Sequence, residues 1–278
     1  MAAGIAAAIG NNSVEDAQKK AGQLLRYVTL DKVNKEDLAE NKPNPLLYER
    51  SVQGRIGEID AFLSHSWHDP SDDKWDGLQA WRERFKIRNG REPRIWFDKF
   101  CINQLDIDDS LMCLPVHLAA CKKFVMIVGS TYASRIWCIM EIFVFLAAVN
   151  DMSRLECIPI AFPPATSGND RKLNGQTKAS SVPAAPATDA ASKAEVAGEA
   201  TAESDVLQTF RRFTVGECQC FSQDEKDKLL TIIEAGCGTL DDFDALIRAM
   251  QITFTKAEDV STRSKLGGIA NLKRQVTR

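Results

Sequence analysis

The chain has little net charge. Its 278 residues carry 35 Lys and Arg against 38 Asp and Glu, a formal charge of -3. That balance excludes a general nucleic-acid binder, which needs a basic face to displace counterions from phosphate. A membrane span is also missing. Residues 136–149 are nearly all apolar, but the stretch falls short of the ~20 residues a span needs and carries Glu141 in its middle. The opening Met1-Ala2-Ala3-Gly4-Ile5 lacks the basic region of a secretory leader. The eight cysteines form no short-spaced disulfide framework. A reducing, cytoplasmic setting is therefore expected.

Chemical signatures are scarce too. Gly54-Arg55-Ile56-Gly57 is too short for a phosphate-cradling loop, and it precedes a strand instead of following one. There is no Gly-x-Ser-x-Gly nucleophile elbow. His65, His68 and Asp69 lie on one loop with no third ligand cluster, and Cys218-Gln219-Cys220 has the wrong spacing for a zinc half-site. No metal site is expected, and no internal repeat is visible.

What the chain does have is an α/β pattern. With 44% hydrophobic and 26% charged residues, it can bury a sizeable core. Residues 1–58 read as a helical lead-in: Ser13-Val14-Glu15-Asp16 resembles a capping box, and Pro43 and Pro45 end any helix. A core over 59–164 follows. Strands are predicted at 59–65, 94–98, 123–129 and 155–161, from β-branched and aromatic runs. Between them lie helical stretches, one with Trp75, Leu78, Trp81 and Phe85 at helical spacing, and one over 136–149. Strands alternating with helices imply a parallel sheet. Residues 165–205 hold no aromatic side chain and are dominated by Ala, Ser, Thr, Lys, Glu and Pro. Such a segment cannot bury enough apolar surface to offset its ordering entropy, so a disordered insertion is expected. Residues 206–254 read as C-terminal helices that pack back on the sheet as its last layer. Phe210, Phe213 and Phe221 are their expected anchors, Ser222-Gln223-Asp224-Glu225 their capping box and Gly236 a helix stop. Residues 255–278 form a basic tail.

Glu141 stands out as the one charged side chain between Arg135 and Asp151. An unpaired buried ion costs several kcal/mol or takes up a proton. Either Glu141 faces a cleft, partner or ligand, or it is a satisfied structural acid. In open α/β sheets, ligands sit beyond the carboxyl ends of the strands. Those ends carry Ser64, His65, Ser66 and Trp67, then Asp98 and Lys99, then Ser130.

Four segments together resemble the Toll/interleukin-1 receptor/resistance (TIR) domain family. They are Asp60-Ala61-Phe62-Leu63-Ser64-His65-Ser66, Ile95-Trp96-Phe97-Asp98, the run from Phe124 to Ala133, and Tyr132-Ala133-Ser134-Arg135-Ile136-Trp137-Cys138-Ile139-Met140-Glu141. The last is similar to the plant-type Tyr-Ala-Ser-x-x-Trp-Cys-x-x-Glu pattern. One segment departs from the family. The loop after the second strand has no glycine, and Asp98-Lys99-Phe100-Cys101-Ile102-Asn103-Gln104 instead resembles the signature of fungal heterokaryon-incompatibility (HET) domains.

The resemblance implies a flavodoxin-like, TIR-type parallel sheet flanked by helices. It implies signalling by homotypic association with other TIR-like domains. It also implies cleavage of NAD, as substrate and not as cofactor, at the nicotinamide–ribose bond, with Glu141 catalytic. Ser64, His65, Ser66, Trp67, Asp98, Lys99, Ser130 and Trp137 would then line the nucleotide site, with Trp137 and Cys138 wedging the helix against the sheet. A non-catalytic self-association or adapter module is the alternative within the same family.

Overall fold

A computed structural model describes residues 1–39, 42, 44–103, 107–160, 205, 206 and 208–254. In chain order the strands are β1 (Arg26–Thr29), β2 (Val52–Gln53), β3 (Ala61–His65), β4 (Arg94–Phe97), β5 (Lys123–Val128) and β6 (Leu155–Pro159). The helices are α1 (Ala2–Gly10), α2 (Val14–Leu24), α3 (Lys35–Ala39), α4 (Ser71–Asn89), α5 (Asp98–Cys101), α6 (Ile107–Ala120), α7 (Ile136–Val144), α8 (Gln223–Cys237) and α9 (Leu240–Phe254).

The six strands form one sheet in the order β2-β1-β4-β3-β5-β6. The four strands from β4 to β6 are mutually parallel, as the alternating pattern predicts. Their spatial order is compatible with a flavodoxin-like fold. The central strands β3 and β5 are buried on both faces, apart from a half-buried Lys123, which is why Ala61-Phe62-Leu63 and Phe124–Val128 read as apolar runs. Phe62 stacks on Trp96 with ring centroids 4.3 Å apart, and Phe124 on Phe145 at 5.1 Å. Burying rings of this size contributes about 2–3 kcal/mol each. Pro159 sits in β6, an edge strand, where a missing N–H is tolerated.

The N-terminal region is not only a helical lead-in. Ser13 does cap α2, accepting from Asp16 N at 3.1 Å. But the helix stops at Leu24, and Leu25 and Val28 belong to the sheet side of the chain. β1 runs antiparallel to β4 and carries β2 on its outer edge. Four- and two-residue strands leave too little alternation to be legible, so a modest apolar stripe read as helix.

The C-terminal pair also differs from expectation. Phe210 and Phe213 are buried anchors, but Phe221 is fully exposed in the turn before the Ser222 cap. α8 runs one residue past Gly236, and the stop is Gly238 at a φ of 100°. Gly236 instead allows close approach: a Cβ there would lie 2.5 Å from the Phe143 ring. α8 therefore packs closely on α7, and it also packs on α1. Just before it, Gln219 forms a bridge beside Arg135, and its carbonyl accepts from Ile136 N at 3.1 Å. That satisfies one of the open N–H groups at the start of α7.

The predicted insertion, apart from Asp205, and the basic tail fall outside the described residues. No described helix is long and apolar enough to cross a membrane.

Candidate functional site

Three small polar clusters sit side by side at the carboxyl end of the parallel strands. The first holds Glu141. It projects from α7, a helix whose other residues from Ile136 to Val144 are apolar, and it is 8% exposed. Ser64, near the end of β3, donates to Glu141 Oε2. The Ser64 Oγ also lies 2.6 Å from the Tyr132 hydroxyl. With one proton on Ser64 committed to an ionised Glu141, the Tyr132 hydroxyl donates into the same chain. Burial pushes the Glu141 carboxyl up to about 8; the Ser64 bond pulls it down and the nearby Asp98 charge adds to the rise. Burial also pushes the Tyr132 phenol well above its ordinary value, so it stays neutral. Glu141 is tied neither to Arg135 nor to a backbone donor; Ser64 is its hydrogen-bond partner among the described residues.

The second cluster is centred on Asp98, at the junction of β4 and α5. His65 Nε2 lies 3.1 Å from Asp98 Oδ1, and Lys99 N donates to the same oxygen at 2.7 Å. The Trp67 indole donates to Asp98 Oδ2 at 2.5 Å. Burial alone would raise this carboxyl, but the His65 charge and these hydrogen bonds outweigh it and hold it below its ordinary value. The Lys99 ammonium lies 4.8 Å from the centre of the Trp67 ring and donates to Asp37 O at 2.8 Å. His65 Nδ1 is buried without a partner among the described residues.

The third cluster locks the loop after β3. Ser66 Oγ lies 2.7 Å from Thr131 Oγ1. Asp69 Oδ1 accepts from Thr131 N at 2.8 Å and from its hydroxyl at 2.7 Å. A Cβ at Gly129 would lie 2.6 Å from the Asp69 carboxyl, so glycine is what lets the two loops close.

Of the predicted residues, Ser64 and Glu141 are brought into direct contact. His65, Trp67, Asp98 and Lys99 form one cluster next to them, and Ser66 faces the Thr131 loop. Ser130 is exposed at the rim, and Trp137 is half-buried against the core. Cys138 Sγ reaches His65 O at 3.5 Å, which ties α7 to the end of β3.

Two residues escaped the sequence reading. Tyr132 was visible only as part of a motif. Lys74 is fully buried on α4 and donates to Ser66 O at 2.9 Å and Trp67 O at 3.3 Å. Burial, helped by repulsion from Lys99, lowers its ammonium to about 8. The signal was there: Lys74, Leu78, Trp81 and Phe85 share one helix face, and a lysine on an apolar face needs a reason.

The arrangement places a near-neutral acid beside a hydroxyl chain and an aromatic–carboxylate cluster. A cation arriving beside Glu141 would favour its ionised form, because an opposite charge stabilises the carboxylate. Comparison with family models, with curated proteins and with solved structures returned no match for this chain.

Proposed function

We propose that the chain is a TIR-like signalling protein that cleaves NAD at the nicotinamide–ribose bond when copies associate. The observation that carries this reading is the Ser64–Glu141 pair at the carboxyl edge of the parallel sheet, with the raised Glu141 carboxyl. The motif that ends in Glu141 supplies the family resemblance.

The chemistry follows from charge. The nicotinamide ring is cationic, so the C1′–N1 bond breaks with its electron pair going to the ring nitrogen, and the ring leaves neutral. Positive charge then develops on the ribose, as in other glycosidic cleavages. An ionised Glu141 stabilises that charge in a site of low dielectric. Water adds at C1′ and gives up a proton. The cationic ring, once bound, favours the carboxylate form that the empty site disfavours. Trp67 offers a ring face for stacking, and Lys99 a positive charge for phosphate.

A second reading is a non-catalytic self-association module. The low exposure of Glu141 and its bond to Ser64 favour it, since both suit a satisfied structural acid.

The test is nicotinamide release from NAD by the purified chain at high protein concentration. The enzyme reading expects release that falls by about 100-fold or more in Glu141→Ala, the loss typical of a group acting on the transition state. It also expects kcat/KM to climb with pH through about 8, as Glu141 ionises. Absence of release, together with oligomers that grow with concentration in light scattering, sinks the enzyme and leaves the module.

A further inference from the structure

A large hollow lies away from this site. It encloses about 720 Å³ between α1, α8 and the outer side of α7 with the π-helical turn that continues it, Phe145–Val149. Small-molecule sites typically enclose ~300–1,000 Å³. Gly4 and Ala8 line one wall, Ala235 and Gly236 another, and Phe143 and Ala147 the floor. Small side chains on facing helices leave the space unfilled. A Cβ built on Gly4 would meet nothing within 4 Å.

The polar lining is sparse and one-sided. Among the described residues, Lys228 and Thr231 are its polar side chains, and no carboxylate lines it. The Lys228 ammonium donates to Ile9 O, which holds it beside the hollow. An ammonium has three donors, so two remain for a ligand. An apolar trough with one cation and one hydroxyl fits an apolar chain with a single negative head.

We propose that this hollow binds a long-chain carboxylate, with the chain along Gly4, Ala8, Phe143 and Ala147 and the carboxylate at Lys228. The site is independent of NAD cleavage. Its floor is the outer side of the helix whose inner side carries Glu141, so the two sites share one element.

The probe is cis-parinaric acid, a fluorescent polyene fatty acid, titrated into the full chain, with its methyl ester run in parallel. Saturable uptake of one probe per chain is expected. Gly4→Phe fills the trough and weakens uptake of both probes by roughly tenfold or more, because the new ring occupies the apolar surface that the chain would cover. Ala8→Phe serves as a second filling variant, and an unchanged melting temperature confirms that each variant folds. Lys228→Met weakens the acid by roughly threefold to tenfold, the range of an exposed ion pair with a hydrogen bond, and leaves the ester unchanged. The proposal is overturned by any of three results. These are no saturable uptake, uptake that both filling variants leave unchanged, or equal effects of Lys228→Met on acid and ester. Dimers of the parent that Gly4→Phe dissolves, without probe uptake, would assign the hollow to a second copy and overturn it as well.

Discussion

The two ends of β3 carry buried acids with opposite fates. Asp60, just before the strand, is 4% exposed; Glu141, beside Ser64 near its other end, is 8% exposed. Burial raises both carboxyls. At Asp60 it is overruled: Arg91 binds both oxygens at 2.6 and 2.8 Å, Lys122 reaches one at 3.1 Å and Arg94 N donates at 3.0 Å. The net effect holds Asp60 below its ordinary value. Among the described residues Glu141 has one hydroxyl and no cation, and it rises to about 8. Burial therefore does not decide charge; the partners do. The amino end of the sheet gathers cations around its acid, and the carboxyl end leaves its acid to a hydroxyl.

The widest separation between the two ends is expected in stability against pH. Glu141 binds its proton more tightly folded than unfolded. Its contribution is complete below about 4.5 and is lost as pH rises through about 8, at up to about 1.4 kcal/mol per unit. Lys74 works the other way: its folded value of about 8 lies below 10.5, so stability returns between those two. Asp60 contributes above 3.8 and is lost on acidification. Urea midpoints across pH 4 to 10 should dip near pH 8. Glu141→Gln should remove the falling limb, raising stability at pH 9 by up to about 5 kcal/mol, and Lys74→Met the rising one. A flat profile for the parent would show that Glu141 is solvated after all.

Asp60→Asn tests the closed end. It keeps the size but loses the charge that gathers Arg91 and Lys122, and a destabilisation of about 2–3 kcal/mol is expected in urea unfolding at pH 7. A change under about 0.5 kcal/mol would mean that the ring of cations only decorates the strand.

The smallest effects lie at the helix caps. Ser13→Ala removes a 3.1 Å bond to Asp16 N and should cost about 1 kcal/mol. Ser222→Ala removes a longer bond, 3.4 Å to Glu225 N, and should cost about half as much. Melting curves of both variants check the order, and the reverse ranking would count against distance as the guide.

The central sheet was legible because its inner strands carry apolar runs, Ala61-Phe62-Leu63, Ile95-Trp96-Phe97 and Phe124–Val128, that end in recognisable loops. Glu141 was legible for the same reason: a lone acid contrasts with Ile136, Ile139, Ile142 and Phe143. Its raised proton affinity follows from that contrast. Its partner could only be narrowed to the strand ends, since contact between residues 64 and 141 depends on how α7 lies across the sheet. β1 and β2 were not legible because their pairing is with distant strands and their own residues, Arg26-Tyr27-Val28-Thr29 and Val52-Gln53, carry almost no pattern. Lys74 was hidden by its neighbour Trp75, which looked like the core position and is only half-buried.

The antiparallel pair at the N-terminal side has a practical corollary. β1 covers the backbone edge of β4, and Leu25, Val28 and Leu30 beneath it are essentially inaccessible to water. A fragment trimmed to residues 59–164 would lose those three side chains with β1, leave the edge of β4 open, and would be prone to aggregate through strand-to-strand pairing.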